Sequence, residues 1–187
     1  MTKKSAYEVI DNFLDKEHFD IIKNALTSDD MNWFYRDNLT SEDESGMCYF
    51  THNFFYKNTI SSPFFNLLEP LFTKLKISRL IQVRANMTIG KKDTYESSWH
   101  VDLSDGNSKT AILYLTTCNA KTMIDVEKEI IEIDSVENRI LIFDTDISHK
   151  MISATDTKRR IIINLNYFQN QNYMTEASSQ GIKFVCI

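Results

Sequence analysis

His100-Val101-Asp102 sets an imidazole and a carboxylate two residues apart, and a further imidazole, His149, follows downstream. On an extended segment residues i and i+2 point to the same side, so His100 and Asp102 would face one way and Val101 the other. Two imidazoles and one carboxylate can fill one face of an octahedral metal and leave the other positions open to reactants, a donor set that suits Fe(II). Cys48, Cys118 and Cys186 are isolated, so no thiolate set for structural zinc competes with it. A His-x-Asp tripeptide is common by chance, and a strand histidine is often only a hydrogen-bonded core residue. The assignment of His100, Asp102 and His149 as catalytic metal ligands therefore depends on their surroundings. His18 lies at a helix start and His52 in an aromatic stretch without a carboxylate at ligand spacing, so neither reads as a ligand.

The second chemical feature is Arg159-Arg160, which opens a β-branched run ending near Tyr167. Arg160, Ile162, Asn164 and Asn166 share one strand face, and Ile161, Ile163, Leu165 and Tyr167 share the other. A face carrying one guanidinium and two amides is costly to bury unless something pairs with it. A bound dicarboxylate would supply that partner, because guanidinium grips carboxylate bidentately. Arg84, Asn86 and Thr88 likewise share a face of an earlier strand.

Strands must position these residues. Ile81–Ile89, Thr110–Thr116, Ile130–Ile133, Arg139–Phe143 and Arg160–Tyr167 alternate or are rich in β-branched and aromatic residues. Short strands without helical periodicity between them predict an antiparallel sandwich or barrel. The first third reads as helical with irregular loops. Asp15 is a candidate N-cap, Leu14 and Phe19 a hydrophobic staple, and Phe19, Ile22 and Leu26 follow helical spacing. Ser62-Pro63 would open another helix, which Pro70 kinks or breaks. The polar stretch around Ser41-Glu42-Asp43-Glu44 reads as an exposed loop.

The 187 residues are enough for one domain with a sizeable core, expected as 1–187 with a helical layer over about 1–79 and a strand core over about 80–170. A net charge of −5 is a poor match to nonspecific nucleic-acid binding, which needs phosphate-neutralising basic patches. No apolar run is long enough to span a bilayer, and Met1–Tyr7 lacks the apolar stretch of a secretory signal. With three unpaired cysteines this predicts a cytoplasmic protein.

In order along the chain, His100-Val-Asp102, Ala111-Ile-Leu-Tyr-Leu115, Glu137-Asn-Arg-Ile-Leu-Ile-Phe-Asp144, His149 and Arg160-Ile-Ile-Ile-Asn-Leu-Asn-Tyr-Phe168 resemble the Fe(II)- and 2-oxoglutarate-dependent dioxygenase superfamily, above all its prolyl-hydroxylase-like branch. Tyr7–Leu14 is similar to the start of such domains. The resemblance covers roughly residues 80–168 well. It implies an α+β chain built on a double-stranded β-helix, or jelly roll, with N-terminal helices outside one sheet. It also implies iron on His100, Asp102 and His149, with dioxygen as cosubstrate. The far carboxylate of 2-oxoglutarate would lie on Arg160 and Tyr114, with Arg159 as the rival to Arg160. Asn86 would serve the carboxylate at the metal, and Asn164 and Asn166 would line the same cofactor pocket. Each ligand histidine should anchor its second ring N–H on a neighbour.

The activity so implied is hydroxylation of a peptidyl or free amino acid side chain, coupled to decarboxylation of 2-oxoglutarate to succinate and CO2. Two alternatives remain open. One keeps the cofactors and changes the substrate to a small metabolite or nucleobase. The other is a cupin-like barrel that binds a metal or ligand without redox chemistry, which gives Arg160 and Tyr114 no reason to converge on the pocket. Trp33, Tyr35, Trp99 and Lys91–Glu96 are candidates to meet the substrate, and Trp33 and Tyr35 are equally candidates for the core.

Overall fold

The computed structural model describes residues 6–38 and 48–170; the acidic stretch at 41–44 and Cys186 lie outside them. In chain order the elements are β1 (Tyr7–Ile10), α1 (Lys16–Thr27), β2 (Phe34–Arg36), β3 (Tyr49–Tyr56), β4 (Thr59–Ile60), a 3-10 turn (Phe65–Leu68) and α2 (Glu69–Lys74). There follow β5 (Ile77–Ile89), β6 (Lys109–Tyr114), β7 (Cys118–Val126), β8 (Glu129–Ser135), β9 (Ile140–Asp144), β10 (His149–Ile152) and β11 (Arg159–Gln169).

Two antiparallel sheets result. The larger runs β1-β9-β6-β11-β5-β3-β2, with β4 also on β3, and the smaller runs β10-β7-β8. Single bridges at Glu96↔Ile152 and His100↔His149 lay the segment 96–100 beside β10. Ile112, Tyr114, Leu141, Phe143 and Ile162 of the larger sheet meet Ile124 and Ile133 of the smaller one. This is the expected double-stranded β-helix.

The other face of the larger sheet carries the helices. Phe19, Ile22 and Leu26 of α1 and Leu71 and Phe72 of α2 pack on Val83, Ala85, Leu113, Ile161, Ile163, Leu165 and Tyr167. Asp15 caps α1 by accepting from the His18 N–H at 3.1 Å. Leu14 and Phe19, flanking that cap as a staple, are both buried. Pro70 lies in the first turn of α2, where its missing N–H costs nothing, and the 3-10 turn ends just before it. Asn138 joins the helical layer to the strands. It adopts positive φ (59°), accepts from Leu14 N–H at 2.9 Å and donates to Leu14 O at 2.7 Å.

The N-terminal layer is not purely helical, as the sequence suggested: β1, β2, β3 and β4 all join the larger sheet. Tyr49–Tyr56 hides its strand character for two reasons. Both of its faces are covered, and a bulge between Asn53 and Phe55 breaks the two-residue period. β7 was missed similarly, because Ala120, Thr122, Met123 and Ile124 are buried in no simple alternation. Among the described residues no helix is long and apolar enough to cross a membrane.

Candidate functional site

His100, Asp102 and His149 converge between the sheets, their candidate ligand atoms all within 4.8 Å of one another. The segment holding His100 and Asp102 is not a regular strand. One antiparallel bridge fixes it: His100 N donates to His149 O at 3.0 Å, and His149 N donates to His100 O at 2.8 Å. The two rings lie 4.3 Å apart, centroid to centroid. Beyond Asp102 the chain turns at Asp105-Gly106, where Gly106 takes a positive φ (66°) and Asp105 Oδ1 accepts from the N–H of Asn107 and of Ser108.

Each imidazole is oriented by a backbone carbonyl. His100 Nδ1 faces Ser98 O at 3.3 Å and His149 Nδ1 faces Ile147 O at 3.1 Å. A carbonyl only accepts, so each Nδ1 carries a proton, and in the neutral ring the Nε2 lone pair is left for a metal. These carbonyls are the anchoring partners the sequence left unnamed. Asp102 is held through Oδ2, which accepts from Thr110 Oγ1 (3.0 Å), Asn166 Nδ2 (2.9 Å) and Asn164 Nδ2 (3.4 Å). Oδ1 is left toward His149 Nε2, 3.8 Å away. Burial pushes the Asp102 carboxyl up, but His149, Asn166, His100 and Thr110 together hold it below its ordinary value. Burial pushes His149 down, against the pull of Asp102. A carboxylate oxygen and two imidazole nitrogens on one spot are the chemistry of a divalent-metal site, and Fe(II) fits this donor set.

His100 and His149 line a pocket enclosing about 610 Å³ of empty space, part of it open to solvent. Arg84, Asn86, Thr88, Thr122, Arg160 and Asn164 are among its walls. Arg160 is 3% exposed. Its Nε donates to Ser135 Oγ and its Nη2 to Thr122 Oγ1, both at 3.2 Å. It forms no ion pair with a carboxylate among the described residues. Arg159, its neighbour, is exposed. Burial pushes the Arg160 pKa down, with Tyr114 opposing. Guanidinium remains charged in proteins.

The predicted residues do not all sit as expected. Tyr114 is fully buried beneath Arg160, whose Cζ lies 5.4 Å from the ring centroid, and its hydroxyl donates to Thr122 Oγ1 at 2.9 Å. Thr122 thus stands between Tyr114 and the pocket. Asn164 and Asn166, expected to line the cofactor pocket, turn their amide N–H groups to Asp102, and Asn164 also lines the pocket. Asn86 faces the pocket with Oδ1 buried and unpaired. Trp33 packs on the core, Tyr35 lies exposed against Phe50, and Trp99 stands outside the pocket beneath the Lys150 ammonium. His52 is a core histidine between Asn32 O and Ser62 Oγ.

No protein-family model matches the sequence, and no curated protein is significantly similar to it. Solved structures do match in three dimensions. An oxidoreductase of the 2OG-Fe(II) oxygenase family from Burkholderia pseudomallei superposes with a TM-score of 0.68 at 8% identity, over 87% of this chain and 85% of that one. A prolyl hydroxylase from Trichoplax adhaerens, solved with a hypoxia inducible factor peptide, gives 0.64 at 15% identity over 88% and 84%. The alpha ketoglutarate dependent epimerase SnoN from nogalamycin biosynthesis gives 0.63 at 10% over 88% and 78%. The fold is that of the 2OG-Fe(II) oxygenases. Thr122 and Ser135, which hold Arg160, lie on β7, a strand absent from the sequence reading, and at the end of β8, beyond the expected Ile130–Ile133.

Proposed function

We propose that this chain is an Fe(II)- and 2-oxoglutarate-dependent oxygenase of the prolyl-hydroxylase-like kind, acting as one domain on a peptidyl or free amino acid side chain. The observation that carries the reading is Arg160. A buried guanidinium without a carboxylate partner leaves a charge uncompensated, at a cost a fold retains where an anion arrives to pair with it. It lines the same pocket as His100 and His149. A dicarboxylate that reaches the metal with one end and Arg160 with the other answers both features. The jelly roll shared with oxygenases supports the same conclusion.

His100 and His149 would hold iron through Nε2 and Asp102 through Oδ1. Thr110 and Asn166 help to hold that carboxyl below its ordinary value, and with Asn164 they aim it. Arg160 would take the far carboxylate of 2-oxoglutarate, with Thr122 relaying the support of Tyr114. Asn86 would serve the carboxylate at the metal. Iron with 2-oxoglutarate and dioxygen supplies the oxidation of an unactivated C–H bond, with succinate and CO2 as coproducts; the protein binds, orients and excludes water. The same cofactors acting on a small metabolite are the second reading, favoured by the likeness to an epimerase of nogalamycin biosynthesis.

Adding Fe(II) and then 2-oxoglutarate to the anaerobic protein should produce the metal-to-ligand charge-transfer absorption. Its absence at saturating ligand overturns the reading in favour of a cupin-like binding protein.

A further inference from the structure

Five buried side-chain polar atoms lack a partner among the described residues: Asn53 Oδ1, Arg84 Nε, Asn86 Oδ1, Asn164 Oδ1 and Tyr167 Oη. Buried polar groups are normally paired, so a cluster of exceptions needs a cause. Four of the five lie on the face of the larger sheet turned toward the triad. Three form one row across three strands: Asn164 of β11 pairs in register with Arg84 of β5, and Arg84 with Asn53 of β3. A cation thus stands between two amides, in contact with no carboxylate among the described residues. The row begins at the metal-binding end of the pocket, since Asn164 also reaches Asp102.

The role given to Arg160 leaves this row unused. Arg160 and Asn164 are four residues apart on β11, so their rows are separated by about 13 Å along the strands. Arg84 is therefore a second guanidinium on the pocket, beside the triad rather than at the Arg160 end. A neutral peptide segment offers Arg84 only carbonyl oxygens. A carboxylate offers it charge and a two-pronged match. The amide oxygens on either side are acceptors, suited to the N–H groups of an ammonium.

We propose that Asn164, Arg84 and Asn53 form the substrate-recognition row, and that the substrate is a free α-amino acid, its carboxylate on Arg84 and its ammonium on the flanking amide oxygens. This rests on the oxygenase reading and narrows it, away from internal residues of a protein. The row fixes the charged end of the substrate beside the triad and leaves its side chain to reach the reacting position.

The test uses the full chain with Fe(II) and 2-oxoglutarate. The anaerobic charge-transfer band is recorded first, and its absence overturns the oxygenase reading itself. With the band present, succinate formation is measured with a panel of free L-amino acids, the same compounds as α-amides, and peptides holding them internally. Binding of the best free acid is followed by calorimetry. We expect stimulation by a free acid and a loss of about 30-fold or more in kcat/KM for its α-amide, the effect of removing one member of a buried charge pair. Arg84→Gln should erase that preference and the calorimetric signal without moving the 2-oxoglutarate affinity of the anaerobic complex, and Arg84→Lys should restore part of both. Asn53→Ala, at the outer end of the row, should weaken amino acid binding with the melting temperature retained. A panel in which no free acid stimulates, an α-amide or internal peptide that serves as well as the acid, or an Arg84→Gln variant whose defect lies in 2-oxoglutarate binding each overturns the proposal.

Discussion

The two faces of β11 carry opposite chemistry on one backbone. Ile161, Ile163, Leu165 and Tyr167 point to the helices and join the larger core. Arg160, Asn164 and Asn166 point to the smaller sheet, and each is nevertheless at least nine-tenths buried. On the first face burial is favourable by about 1.5–3 kcal/mol for each large apolar side chain. On the second it is unfavourable unless every donor and acceptor finds a partner. There the amide N–H groups of Asn164 and Asn166 are used to hold Asp102, and the Arg160 guanidinium has two hydroxyls where it could have an anion. One side of the strand supplies stability, and the other spends part of it to keep a binding surface ready.

Substitutions that separate the two faces test this division. Arg160→Met should lose about 30-fold or more in 2-oxoglutarate affinity, because a buried charge pair is removed from the complex. It should leave the melting temperature of the ligand-free protein equal or higher, because an uncompensated buried charge goes with it. A fall in melting temperature with affinity retained would break the comparison. Arg159→Ala, at an exposed position, should alter neither.

Leu165→Ala should do the reverse. Deleting a fully buried leucine costs about 2–5 kcal/mol of stability, read by denaturant unfolding. Because Leu165 faces away from the pocket, 2-oxoglutarate affinity in the folded fraction should stay within about twofold of wild type. Next in size is Asn166→Ala, which removes the shortest hydrogen bond to Asp102. Positioning residues of this kind commonly contribute about 10–100-fold to metal affinity. Fe(II) titration should show a loss in that range, with 2-oxoglutarate still able to complete the complex at higher iron.

The same division explains what was legible in the sequence. The Arg160–Tyr167 alternation separated an apolar from a polar face, and the structure keeps that separation. His100, Asp102 and His149 could be grouped because their types are rare together and the intervening strands bring them to one place. The contact of Asn164 and Asn166 with Asp102 could not be read, since an amide serves a cofactor or a carboxylate equally well and only the distance to Asp102 shows the pairing. The aromatic stretch 49–56 was hidden by its bulge and its two covered faces. With β3 unseen, Asn53 had no row to belong to, and Arg84 could be grouped only with Asn86 and Thr88 of its own strand. The orienting carbonyls of Ser98 and Ile147 belong to the backbone, which carries no residue-type signal at all.

The smallest effect concerns a guanidinium that does have a carboxylate partner. Arg139 grips Asp11 through Nε (2.6 Å) and Nη2 (3.0 Å), linking the start of β9 to the end of β1. The hydrogen bond from Arg139 holds the Asp11 carboxyl below its ordinary value of 3.8. A carboxyl depressed in the folded state stabilises the protein fully above its unfolded value and loses that contribution as pH falls through the folded one. Asp11 is largely exposed, so solvent screening keeps the contribution below about 1 kcal/mol. Asp11→Asn should therefore lower the stability slightly at neutral pH, and the two unfolding curves should converge well below pH 3.8 and also at high salt. The Arg160→Met difference should instead persist in salt, because that guanidinium is buried away from the counterions that screen Arg139. If both differences faded together with salt, Arg160 would be as solvated as Arg139, and the case for an anion waiting to be bound would fall with it.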